Sequence, residues 1–161
     1  MKEQYRYFIT KFIAVFVIFT LDQASKYYVL DYFKAAGKKV EYVCEYLNIV
    51  LIWNQGISFG FFNKLPYSNQ IFLLISVLIV IILCLMLIKS DKKNHSISYI
   101  LIISGALGNI FDRIERGAVV DFIEVHYHNY FFPVFNIADS VITIGVLVLL
   151  FEMIFLENKR E

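Results

Sequence analysis

The clearest apolar run in the chain, Ile71 to Ile88 ("IFLLISVLIVIILCLMLI"), carries no charge. A helix needs roughly 20 apolar residues to cross a bilayer, and this run is close to that length. Three more stretches have the same character. One runs from about Phe8 to Leu30 and is interrupted by Asp22 and Lys26. Another, about Ile97 to Ile114, includes Gly105, Gly108 and Asn109, and the last runs from about Ile137 to Leu156. The first stretch lacks a small-residue cleavage site and leads directly into "DQASK", so it reads as a retained span and not a cleaved signal peptide. Between the first two spans, "VEYVCEYLNIVLIW" is rich in β-branched and aromatic residues and reads as one or two strands. "NQGISFG" then supplies turn residues. The pattern predicts a mainly α membrane protein, a single unit over residues 1–161 with four transmembrane helices and a small sheet at about 38–62 on the membrane surface.

Composition agrees with that reading. Of 161 residues, 59% are hydrophobic and 18% charged, against about 25% charged in soluble domains. The net charge of +1, with no basic stripe interleaved with aromatics, speaks against a nucleic-acid partner. Cys44 and Cys84 read as two free thiols. Neither follows a short N-terminal apolar run, so the chain does not read as a lipoprotein precursor itself.

Basic flanks set the orientation. Lys2, Arg6 and Lys11 border the first span, Lys89, Lys92 and Lys93 separate spans two and three, and Lys159 and Arg160 end the chain. The positive-inside rule makes these segments, and both termini, cytoplasmic, although the longer first outer segment also carries Lys34, Lys38, Lys39 and Lys64. The outer segments are then about Asp31 to Gln70 and Glu115 to Asn136.

This orientation brings polar residues from separate segments to one depth. Asp22 and Lys26 are four apart in the outer part of span one and can pair. Asn109 and Arg113 have the same spacing near the outer end of span three, with Asp112 beside them. Asn136, Asp139, Ser140 and Thr143 form a helical stripe at the outer start of span four, and Asp121 follows span three in "VVDFIEV". Ionisable groups inside spans are costly and usually face the bundle interior. Bland readings stand beside these. Asp22 and Lys26 can form a purely structural pair, Arg113 an interfacial anchor, and Asp112 a cap or ion-pair partner. Glu152 reads as a snorkelling or paired residue, and Glu115, Arg116 and Glu124 as solvated loop charges. Ser104, Gly105 and Gly108 suit close helix packing.

No H-E-x-x-H zinc site or Gly-rich phosphate loop is present. His126 and His128 near Asp121 and Glu124 have no specific metal-ligand spacing and fall in a segment that reads as a loop, so no metal or cofactor is expected. Two carboxylates at one depth can share a proton, one activating water and the other polarising a carbonyl. The residues alone leave this dyad, a proton or ion pathway and a structural subunit open.

The motifs resemble those of the lipoprotein signal peptidases, also called signal peptidase II. The matching segments are "DQASKYY" at Asp22–Tyr28, "NQGISFG" at Asn54–Gly60, "GALGNIFDRIERGAVVDFI" at Gly105–Ile123 and "FNIADSVITIG" at Phe135–Gly145. At Ile57 the family usually has a small residue. The resemblance implies four transmembrane helices with an extracytoplasmic β-cradle, and an aspartic endopeptidase in the bacterial cytoplasmic membrane with its site near the outer face. It carries the catalytic aspartates onto Asp121 and Asp139. Site-shaping or substrate-binding roles fall on Asp22, Lys26, Asn54, Gly108, Asn109, Arg113, Asn136 and Ala138. Its substrates are prolipoproteins cut just before a diacylglyceryl-modified cysteine. Membrane lipid is the other partner, and the enzyme is expected to act as a monomer.

Overall fold

The computed structural model describes residues 2–56, 67–89 and 96–155. Part of the "NQGISFG" motif (Ile57 to Gly60), and the flanking charges Lys64, Lys92, Lys93, Lys159 and Arg160, lie outside them.

Each apolar run forms a helix. They are α1 (Lys2–Ala36), α2 (Ser68–Lys89), α3 (Ser96–Glu115) and α4 (Ile137–Phe155). Four segments are long and apolar enough to cross a membrane: Ile9–Ala36, Ser68–Ile88, Ser96–Glu115 and Ile137–Phe155. α1 continues beyond the expected end near Leu30, because "DYFKAA" holds no Gly or Pro to break it before Gly37, whose N–H bonds Phe33 O at 3.1 Å.

α3 is the central helix, with more than half of its residues buried, whereas α1, α2 and α4 expose wide apolar faces such as Phe12, Leu74, Ile82 and Leu147. Such faces are at home in hydrocarbon, where lipid takes the place of a packing partner. α3 sits so close to its neighbours because it carries glycines where they cross. A Cβ at Gly105 would strike the Ala138 backbone carbonyl, and one at Gly108 would lie 2.5 Å from Asp22 Oδ2.

The strands β1 (Val40–Cys44), β2 (Leu47–Asn54), β3 (Val119–Tyr127) and β4 (Tyr130–Phe131) form one antiparallel sheet in chain order. Only the first half of it was legible in the sequence. The segment expected to be a loop contains β3, which pairs along β2 from Leu47↔Val125 to Asn54↔Val119 and sets Ile52 opposite Asp121. "AVVDFIEV" is a strand because β2 offers it a ladder partner, and its first half, Val119 to Phe122, is buried at the helix ends. Val29, Phe33 and Phe122 form the apolar joint between sheet and bundle, with Ile49 and Ile137 packed against them. A second apolar cluster, Leu83, Tyr99, Ile102 and Ile103, fills the bundle nearer its opposite end.

Candidate active site

α4 begins where the site is built. Asn136 is its N-cap: its Oδ1 accepts from Asp139 N at 2.9 Å, and Asp139 Oδ2 accepts from Asn136 N at 3.3 Å. This reciprocal arrangement is a capping box formed by "NIAD". It fixes the Asp139 carboxylate at the helix N-terminus, where the helix dipole favours negative charge. The Asn136 side chain also points back, with Nδ2 2.7 Å from Asp121 Oδ1 and 3.2 Å from Asn109 Oδ1.

Asp121 is held on β3 and is almost fully buried. Asn54 Nδ2, from the end of β2, donates to its Oδ2 at 2.9 Å. Asn54 is itself oriented by Gly56 N, which donates to Asn54 Oδ1 at 3.0 Å. Burial, then the negative charge of Asp139, pushes the Asp121 carboxyl up to about 7; the bonds from Asn54 and Asn136 and the charge of Lys26 oppose this. Near neutral pH this group therefore holds a proton for much of the time.

Asn109 on α3 links the two aspartates, since its Nδ2 donates to Asp139 Oδ1 at 2.8 Å and its Oδ1 accepts from Asn136. The same Oδ1 accepts from Lys26 Nζ at 3.0 Å. Lys26 is fully buried and also contacts Asp22 Oδ2 and Asp112 Oδ2, each at 2.8 Å. Its three donors thus meet three acceptors, which offsets the cost of burying an ammonium. Asp22 Oδ1 accepts from Ala138 N at 2.9 Å, tying α1 to the first turn of α4. Arg113 donates to Gly56 O at 3.1 Å and lines the same cavity as the aspartates.

The ten residues to which the resemblance gives a catalytic or site-shaping role all lie in this hydrogen-bonded set, Gly108 through its carbonyl and Gln23. Asp112 pairs, as its bland reading has it, and also accepts from Val120 N at 3.2 Å. Two of the charges expected to be solvated in loops need correction. Arg116 is not a solvated loop charge, because it bonds Asp112 Oδ1 and donates to Gln23 Oε1 at 3.1 Å. Glu124 accepts from Asn48 Nδ2 at 2.9 Å across the β2–β3 pair, so it is a cross-strand partner instead. Gln23 was missed. Its Nε2 lies 3.1–3.2 Å from Asp22, Gly108 O and Asp112, and its position beside Asp22 was the one available signal. His126, expected in a loop, lies in β3 and stacks on Phe131 with ring centroids 5.3 Å apart.

Asp121, Asp139, Asn54, Asn109 and Arg113 open on a cavity of about 330 Å³. Its remaining wall is largely apolar, with Phe72, Ile75 and Ile79 of α2 facing Ile102 and Ile142. An extended chain entering it would meet two carboxylates on one side and hydrocarbon on the other.

Four membrane-spanning helices, a capping sheet and a buried polar site at one end of the bundle define a multi-pass membrane enzyme. The fold matches a bacterial membrane enzyme solved by the in meso method at 2.3 Å resolution, with a TM-score of 0.77 and 31% identity, covering 94% of this chain and 92% of that one. A second such structure, at 1.9 Å resolution, matches with a TM-score of 0.76 and 32% identity over 91% and 93% of the two chains. The family model for signal peptidase (SPase) II matches residues 14–155, and the chain belongs to that family of membrane peptidases. Relatives include the lipoprotein signal peptidase of Rickettsia akari (strain Hartford), 42% identical over 93% of this chain and 77% of that protein. That of Anaplasma phagocytophilum (strain HZ) is 42% identical over 86% and 87% of the two chains.

Proposed function

We propose that the chain is an aspartic endopeptidase that removes the signal peptide of prolipoproteins, cutting just before a diacylglyceryl-modified cysteine. The observation that carries this reading is the convergence of Asp121 and Asp139 on one cavity, bridged by Asn109 and Asn136. The raised Asp121 pKa, about 7, fits a pair that holds a single proton between them.

In this mechanism the ionised carboxylate takes a proton from a water, and the resulting hydroxide attacks the scissile carbonyl carbon. The protonated carboxyl polarises the carbonyl oxygen and gives it a proton as the tetrahedral intermediate forms. Collapse breaks the C–N bond as the carboxyl that took the water proton passes it to the departing cysteine amine, while the other carboxylate takes back a proton from the gem-diol hydroxyl and restores the singly protonated pair. No enzyme-bound covalent intermediate is needed. Asn109 and Asn136 keep both carboxylates facing the substrate, and Asn54 and Arg113 border the path of its backbone. The apolar α2 wall suits the signal peptide, whose lipidated cysteine leaves its acyl chains in the bilayer.

By the positive-inside rule, both termini face the cytoplasm and the sheet lies on the outer face of the bacterial cytoplasmic membrane. The enzyme acts there as a monomer, since one chain supplies both aspartates and the Asn54, Asn109 and Asn136 groups that hydrogen-bond them.

The test offers purified enzyme a diacylglyceryl-modified prolipoprotein and the same protein without the lipid. Cleavage of the first alone, immediately before the cysteine, is the expected result. Equal cleavage of both would contradict the lipid requirement, and a cut elsewhere would contradict the assigned specificity.

A further inference from the structure

Four carboxylates and three cations crowd the head of the bundle. α1 supplies Asp22 and Lys26; α3 and the residue after it supply Asp112, Arg113 and Arg116; β3 supplies Asp121 and α4 supplies Asp139. α2 adds no charged side chain to the cavity lining, and β2 adds only the neutral Asn54. With all four acids ionised the cluster would carry one surplus negative charge. It is neutral when the dyad holds one proton, and this balance exists only if Arg116 is counted.

The contacts are laid out accordingly. Lys26 is divided between Asp22 and Asp112, at 2.8 Å from each, and its third bond goes to Asn109. Asn109 passes that contact on to Asp139, and to Asp121 through Asn136. Asp112 therefore competes with the dyad for the charge of Lys26. Arg116 takes up the other Asp112 oxygen, and its guanidinium is held there by Gln23 Oε1 and by the Phe111 ring, 5.6 Å from its centroid. Its side chain is 18% exposed, against 0% for Asp112, so it shields the carboxylate from the solvent side.

We infer that Arg116 is a positioning residue that neutralises Asp112, leaving the charge of Lys26 to act through Asn109 on a singly protonated dyad. This inference rests on the dyad reading above. Arg116 touches neither aspartate; it sets the field in which they share their proton. Removing its charge leaves one more uncompensated negative charge in a low-dielectric cluster, so the dyad binds protons more tightly.

The test is the pH profile of kcat for purified enzyme in detergent, using a lipidated prolipoprotein. Arg116→Met keeps the stem on Phe111, Arg116→Gln keeps hydrogen bonding, and Arg116→Lys keeps the charge. The two neutral variants are expected to shift both limbs of the profile upward by about half to one pH unit, with KM changed less than two-fold. Arg116→Lys is expected to restore the wild-type profile. Superimposable profiles, or a shift that Arg116→Lys also shows, would overturn the inference. So would failure of both neutral variants to fold while Arg116→Lys is normal, since that assigns Arg116 to stability alone. Asp121→Asn and Asp139→Asn are measured in parallel. If they process substrate normally the dyad reading itself fails, whereas inactive aspartate variants with unshifted Arg116 profiles remove only the role given to Arg116.

Discussion

Asn136 does three jobs with one short side chain. It caps α4, it donates to Asp121, and it reaches Asn109, which holds Asp139. Losing an N-cap costs about 1 kcal/mol, and Asn136→Ala should lower the thermal midpoint of the detergent-purified enzyme by that scale. Its turnover should fall much further, by the roughly 10²-fold or more associated with misplaced acid–base groups. Comparable losses in midpoint and turnover would mean that the residue only builds the helix.

Asp121 carries a second prediction. Its folded-state pKa of about 7 lies above the ordinary 3.8, so the protonated group favours the folded state. That contribution is complete below pH ~4 and is lost as pH rises through about 7. Between pH 5 and 8 the wild-type enzyme should therefore lose thermal stability, and Asp121→Asn should flatten that loss. An equal pH dependence in both proteins would show that burial at Asp121 is not the cause.

At the level of elements, close packing of α1, α3 and α4 makes the polar cluster possible. Gly108 brings α3 against Asp22, and an added methyl must move a carboxylate already committed to Lys26 and Ala138 N. Gly108→Ala should cost about 1–3 kcal/mol, the usual range for overpacking a tight core. An unchanged midpoint in detergent would contradict that close approach. The helices could be read from the sequence because length and apolarity decide a membrane span. The i,i+4 pair of Asp22 and Lys26 was equally visible. The pairing of β3 with β2 was not, since its partners are 65 or more residues away, from Asn54↔Val119 to Leu47↔Val125, and half of the strand is buried by helices. Arg116 was misread for a related reason. It stands one residue past α3, where charge usually means solvent, yet its four-residue offset from Asp112 places both on one helical edge.

At the scale of the whole molecule, the largely buried cluster of Asp22, Lys26, Asp112, Asp121 and Asp139 lies toward one end of the bundle. Toward the other end the Leu83, Tyr99, Ile102 and Ile103 cluster separates the site from the Ser98–Glu152 hydrogen bond, 3.0 Å long. That barrier favours a one-sided enzyme over a proton path across the bilayer. Sidedness has its own reporter in Cys44, which is exposed on β1, while Cys84 lies within α2. In spheroplasts of a bacterial host, an impermeant maleimide should label the protein through Cys44, and Cys44→Ser should abolish the signal. Labelling only after the membrane is broken would reverse the orientation.

Most directly, the account stands on the two aspartates. Asp121→Asn and Asp139→Asn each replace an ionisable oxygen with little change of shape. Each folded variant, assayed with a lipidated prolipoprotein, is predicted to lose processing by at least ~10²–10⁴-fold. Wild-type rates from either one would contradict the aspartic mechanism.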